Sequence, residues 1–437
     1  MSGKAERFGS SVGAILTMLG VAIGLANVWR FPYMMGKYGG SAFLVIYLIC
    51  ALLFALPPLM AEWALGRATG RGPLLAFRTA LGGRLGSLVG GMVLLTAAVA
   101  GSYYVLVIGK VAVTGFYAML RGFSPEHMSG LRTALDEFIF QYPVAVLLVG
   151  CCMIIAHRGL NAVIARVSKF TVPLFFATIL YLVVCTLRMD GAWTALEEFL
   201  HPDLASMGSR EYFAVLGQCF FSVGLGGTYM LVYGSYLPDD LSIGRTAVFT
   251  VLGDTSAALS AALFLVPASI VLAIPLSTGP SLVFETLPLL FHRMPGGEFI
   301  GGLFLLALAL VALLSYLPVI EILVDGLTSL PRLNMSRSQA INLAGGMQML
   351  LILPTAIDPS LISFLDLFFG SGMQLIGSAL AVIALSWGLG KSALTQQKLL
   401  PATNTLMSRM AAEWFRWVVP AVLFLVLGAY LKSLFFE

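Results

Sequence analysis

A chain of 437 residues in which 59% are hydrophobic and only 11% charged has too little polar surface to coat a water-soluble globule of its size. Its mean hydropathy of +0.94 places it in a membrane. The formal net charge of +4 is small, is accounted for by basic loops beside a bilayer, and carries no argument for nucleic-acid binding.

Apolar runs of the length a bilayer core requires, about 20 residues as a helix, are predicted near 10–36, 41–66, 85–120, 139–157, 165–188, 211–237, 246–276, 299–327, 339–356, 361–389 and 414–435. The first run lacks a short apolar core followed by a small-residue cleavage site, so it reads as a retained helix and not a signal peptide. Most of the 25 Lys and Arg residues, among them Arg67, Arg71, Arg78, Arg84, Arg158, Arg166 and Lys169, then share one side with the N-terminus, which places that terminus in the cytoplasm. The five cysteines fall in or at the edges of spans as small buried hydrophobes. The four histidines are scattered without ligand spacing, which argues against a metal centre built on them.

No long polar linker divides the chain, and it reads as a single transmembrane domain over 1–437. Two spans differ from the rest. "GVAIGLANVWRFP" at 20–32 carries Gly20, Gly24, Asn27, Arg30 and Pro32, and "GQCFFSVGLGGTYMLVYGSY" at 217–236 is cut by a glycine cluster. Backbone released from a helix in hydrocarbon must be satisfied by protein, water or a ligand. One break in the first span and one in the sixth therefore predict two five-helix halves, about 10–188 and 211–389, followed by an eleventh helix at about 414–435, with a site at the midplane.

At these residues the sequence resembles the neurotransmitter:sodium symporters. The stretch "SSVGAILTMLGVAIGLANVWRFPYMMGKYGGSAFLVIYL", with "AEWALGR" at 61–67, "SYY" at 102–104, "YGSYL" at 233–237 and "GDT" at 253–255, carries the likeness. It implies an all-α membrane protein with the LeuT-like fold of two inverted five-helix repeats and an eleventh helix. It also implies sodium-coupled amino-acid symport at a bacterial inner membrane, by a monomer or weak dimer in the lipid bilayer.

Carried over by position, the resemblance implies a first sodium site at Ala22, Asn27, Ser222 and Asp254, all hard oxygen donors. Many members have a neutral residue at the Asp254 position and gain the charge from chloride. With the fixed carboxylate, and Ala258 at the companion position, no chloride requirement is expected. The substrate carboxylate is expected at Ala22, Gly24 and Tyr104. Its side chain is expected against Ala100, Phe221, Gly224, Gly227, Ser315 and Val319, whose small members favour a bulky apolar or aromatic amino acid. Arg30 and Asp366 match an outer gate of opposite charges, with Tyr104 and Phe221 as the lid beneath it.

Several positions depart from the family pattern. A second sodium site from Gly20, Ile23, Val311 and Ser315 is one oxygen short, because Leu314 stands where a hydroxyl belongs. The inner gate reads Ala5 and Phe8 for a basic residue and an aromatic one, and Ser329 for an acid, leaving Arg7 and Asp325 as a shifted pair. Val163 replaces a glycine ten residues before Pro173, against local unwinding of the fifth span. Lys110, where tryptophan is commoner, is either a long side chain reaching outer water or a carbonyl, or a cation acting in ion coupling. Glu62 and Glu321 read as hydrogen-bonded structural acids.

Sodium-independent exchange, proton coupling through Asp254 and a non-transporting sensor stand as alternatives. An intramembrane protease is disfavoured, since no membrane histidine pairs with Ser371 and Asp254 has no second aspartate in a matching motif.

Overall fold

The computed structural model describes residues 11–274, 282–294, 296–330, 333–399 and 405–436, and every regular element among them is helical. In chain order the spans are α1 (Ser11–Ala22) with α2 (26–37), then α3 (Ser41–Thr69). A short α4 (Pro73–Leu81) leads to the long α5 (Gly83–Arg121). An outer helix α6 (Pro125–Asp136) precedes α7 (Phe138–Arg158) and α8 (Leu160–Leu187). After α9 (Ala192–Phe199) come the paired α10 (Ser209–Val223) and α11 (Tyr229–Tyr236). The chain continues through α12 (Ile243–Val271), α13 (282–293), α14 (Gly297–Thr328), α15 (Arg337–Ile357), α16 (Leu361–Gly388), α17 (Lys391–Gln396) and α18 (406–436).

Among the described residues nine helices are long and apolar enough to cross a bilayer. The expected first and sixth spans are absent from that set for a physical reason: each is two half-helices, α1 with α2 and α10 with α11. The α8 helix runs through Pro173 without interruption, in keeping with a valine at 163. The large exposed side chains, such as Leu88, Ile139, Phe170, Leu350 and Leu425, form the surface that faces lipid. Cys50, Cys152 and Cys219 are buried as expected; Cys151 is instead exposed on that surface and Cys185 half-buried. Ala5, Arg7 and Phe8 lie outside the described residues.

Small residues set how closely the helices meet. A Cβ on Gly66 would overlap the Leu231 carbonyl, and one on Gly234 would overlap the Trp63 backbone. The α3 and α11 backbones are thus in direct contact, the arrangement small residues permit in membranes. We expect Gly66→Ala to destabilise the fold by about 1–3 kcal/mol through overpacking. Gly91→Ala, where nothing lies within 4 Å, is expected to leave stability unchanged. Thermal unfolding of the two variants in detergent checks this, and equal midpoints would disprove the close contact.

Candidate functional site

The α1–α2 break falls at Ile23 and Gly24, and its freed groups are met by side chains from near and far. The Gly24 N–H donates to Asn27 Oδ1 at 2.8 Å. The Ser315 hydroxyl of α14 donates to the Val21 carbonyl at 2.7 Å and lies 3.3 Å from that of Ile23. Gln218 of α10 adds a hydrogen bond of 3.2 Å to the Ala26 carbonyl, which already accepts the Phe31 N–H within α2.

The second break begins at Gly224, with φ +71°, and passes through Gly226 and Gly227, φ +141° and +69°. These left-handed angles are open to glycine and costly for other residues. The freed Gly226 N–H donates to Glu62 Oε1 at 2.9 Å, and the Ser378 hydroxyl donates to the same oxygen. Glu62, fully buried on α3, therefore holds the second break open. Glu321 is likewise paired, accepting two hydrogen bonds from Arg337 at 2.9 and 2.8 Å and one from Tyr236 at 3.1 Å.

Between the breaks lies a buried polar cluster. Asp254 of α12, with no solvent exposure, accepts at Oδ1 from Asn27 Nδ2 at 2.7 Å and from the Ser222 hydroxyl at 2.9 Å. Its Oδ2 faces the Tyr47 hydroxyl at 3.4 Å. All of these partners are neutral. A carboxylate buried among neutral donors is expensive to hold ionised without a cation beside it. The oxygens of Asp254 and Ser222, with the Asn27 amide and Ala22 beside them, are hard donors of the kind that suits an alkali cation, so the residues fit sodium; Asn27 Oδ1 itself is engaged by the Gly24 N–H.

Beside this cluster is a narrow cavity. Ala22, Gly24, Ala100, Tyr104, Phe221, Gly224 and Ser315 line it, as do Val21, Ala26, Ser222, Tyr229 and Gln374. A Cβ on Gly24 would come within 3.0 Å of the Tyr104 hydroxyl, so the glycine is what lets the phenol reach the break. The structure places Gly227 against Phe77 and the Gly377 carbonyl, and Val319 against Gly101. Both pack into helix contacts and not into the cavity wall. The room expected from small residues is taken up in part by Tyr229, whose ring lies against Gly224.

Over the cavity the Arg30 guanidinium sits 4.6 Å from the Phe221 ring centre, within cation–π range. Its Nε meets Asp366 Oδ2 at 3.0 Å, and its other nitrogens donate to Gln218 Oε1 at 2.7 Å and the Ser371 hydroxyl at 2.6 Å. Tyr103 donates to Asp366 Oδ1 at 3.3 Å. A second cavity is lined by Trp29, Arg30, Tyr33, Lys37 and Asp366. The ion pair is formed, and it borders this space while the Phe221 ring beneath Arg30 borders the first.

At the expected second cation site, Ser315 lies near the carbonyls of Ile23 and of Val311, the latter at 3.4 Å. Leu314 is buried and brings no oxygen. Gly20 faces helix α8, where an added Cβ would come within 2.7 Å of Ser168 Oγ. Lys110 ends at Asp136 Oδ1, 2.7 Å away on α6, which makes it a clasp between helices and not a member of the Asp254 cluster. Asp325 is packed against Gly72.

Sequence reasoning missed Val21 and Ala26, which are ordinary apolar residues in an apolar run. It also missed Tyr103, Gln218, Tyr229 and Gln374. The two glutamines are lone amides in hydrophobic spans, a signal available to a closer reading.

The model of the sodium:neurotransmitter symporter family matches residues 5–126 and 126–434. A protein of Bacillus subtilis named as an uncharacterized sodium-dependent transporter is 31% identical over 74% of this chain and 72% of its own. One of Haemophilus influenzae with the same description is 24% identical over 99% of both chains. Among solved structures, MhsT in complex with L-phenylalanine superposes with a TM-score of 0.88 at 25% identity, over 97% of this chain and 99% of that one. With its two broken spans and buried acid, the chain belongs to the sodium:neurotransmitter symporter family: it is a multi-pass, sodium-dependent transporter of the LeuT-like fold and not an enzyme.

Proposed function

We propose that this protein, acting as a single transport domain, couples sodium to the uptake of an amino acid with a bulky apolar or aromatic side chain. The observation that carries the reading is the Asp254 carboxylate, fully buried and surrounded by neutral donors beside a cavity between two helix breaks. Sodium would sit with Ala22, Asn27, Ser222 and Asp254.

The amino-acid carboxylate belongs at the Gly24 break, where the Tyr104 phenol is at hand. The side chain belongs beside Ala100, Phe221 and Gly224. A relative of closely similar fold holds phenylalanine, which supports an aromatic substrate here. Because sodium and substrate meet at the first break, each tightens the other by the same factor. The fixed charge on Asp254, with the buried Ala258 nearby in sequence, supports independence from chloride. The second sodium site, lacking an oxygen at Leu314, is weak in this reading, so coupling rests on the first. The Arg30–Asp366 pair is the outer gate, and basic loops place the N-terminus in the cytoplasm at a bacterial inner membrane.

A second reading has one observation in its favour. The hydrogen bonds around Asp254 also suit a protonated acid, so proton coupling competes with sodium at this residue.

Binding of phenylalanine, tyrosine, tryptophan and leucine to the purified transporter, compared in sodium and choline salts, separates these readings. Wild type should bind about tenfold or more tightly in sodium, and Asp254→Asn should lose that difference. Equal binding in both salts would sink sodium coupling and favour the proton. Replacing chloride by gluconate should leave affinity unchanged, and a loss of about tenfold would refute chloride independence. Asp366→Asn should lower uptake into proteoliposomes by about tenfold or more, through loss of a buried charge pair worth about 2 kcal/mol, while equilibrium binding persists. Unchanged uptake would remove the pair from the gate.

A further inference from the structure

The two serines along the cavity already have partners. The Ser222 hydroxyl donates to Asp254, and that of Ser315 donates to the Val21 carbonyl. Gln374 of α16 differs. It lines the cavity, is 3% exposed, and its amide oxygen Oε1 is buried with no hydrogen-bond partner among the described residues.

The position of this side chain is set by the second break. A Cβ on Gly226 would come within 3.2 Å of Gln374 Cγ and 3.4 Å of its Cα, so the glycine makes room for the glutamine stem beside the unwound segment. Gln374 thereby lines the same cavity as Phe221, Gly224 and Tyr229, where the reading above seats the substrate side chain. An unmet acceptor at such depth costs about as much as a lost hydrogen bond. A ligand that brings a donor there recovers it.

We propose that Gln374 is a specificity residue that reads a hydrogen-bond donor at the end of the substrate side chain. This inference rests on the amino-acid reading above. It narrows the preferred class to amino acids whose largely apolar side chain ends in an O–H or N–H, of the phenol or indole kind. Side chains of similar bulk without a donor enter but leave Oε1 unpaired, and so bind less well. A site built around such an acceptor discriminates through the group left unpaired more than through size.

The test is calorimetric binding to the full-length protein in sodium, with tyrosine, tryptophan, phenylalanine and tryptophan methylated at the indole nitrogen as probes. Wild type should bind tyrosine or tryptophan about tenfold more tightly than phenylalanine, and methylation should remove the tryptophan advantage. Gln374→Leu and Gln374→Met should abolish the preference, with phenylalanine bound no more weakly than tyrosine or tryptophan. A thermal unfolding midpoint close to that of wild type reports that the variants fold. If both variants fail to bind any probe, the methylated and unmethylated tryptophans still decide the matter on wild type alone. Equal wild-type affinity for all four probes overturns the role of Gln374 and leaves amino-acid transport standing. A donor preference that persists in both variants does the same. Failure of wild type to bind any amino acid overturns both readings.

Discussion

An N–H or carbonyl released from a helix inside a bilayer has no water to turn to. Two such releases, at Ile23–Gly24 and at Gly224–Gly227, organise this molecule. Each is stabilised by a group from elsewhere in the chain: Ser315 at the first, Glu62 at the second. The breaks therefore act as junctions where α14 and α3 meet the unwound backbone. The buried charge at Asp254 lies beside the first junction, linked to it through Asn27.

This dependence explains why the buried acids divide into two kinds. Glu62 accepts at Oε1 from the freed N–H of Gly226 and from the Ser378 hydroxyl, so that oxygen serves the second break. Glu321 is paired with an arginine and a tyrosine. Asp254 serves no freed N–H and meets no basic partner among the described residues; its hydrogen bonds come from Asn27, Ser222 and Tyr47. Burial alone does not separate the acids, since Glu62 is also fully buried among neutral donors; what sets Asp254 apart is its link through Asn27 to the first break.

What was legible in the sequence follows from contrast with the surroundings. Asn27, Arg30, Glu62 and Asp254 stand out because hydrocarbon disfavours them, and each takes part in a polar network in the structure. The cavity wall was harder to read. Val21 and Ala26 look like any other apolar residue, and their roles come from backbone geometry. Tyr103 and Tyr104 are neighbours in sequence but serve different spaces, since successive residues on a helix point about 100° apart. Val319, one turn beyond Ser315, turns into the contact with Gly101. The two broken spans were visible as polar and glycine interruptions, yet a criterion of helix length passes over both.

The Arg30 side chain ties these elements together. Its three nitrogens are each engaged, by Asp366 and Ser371 of α16 and by Gln218 of α10, while Arg30 itself belongs to α2. The full set of bonds exists only when three helices are in place at once. A partial approach leaves buried donors unmet, and each costs more than a half-made contact returns. The side chain is thus a coincidence detector. If the pair gates the cavity as proposed, such all-or-none bonding makes its closure a switch and not a graded narrowing.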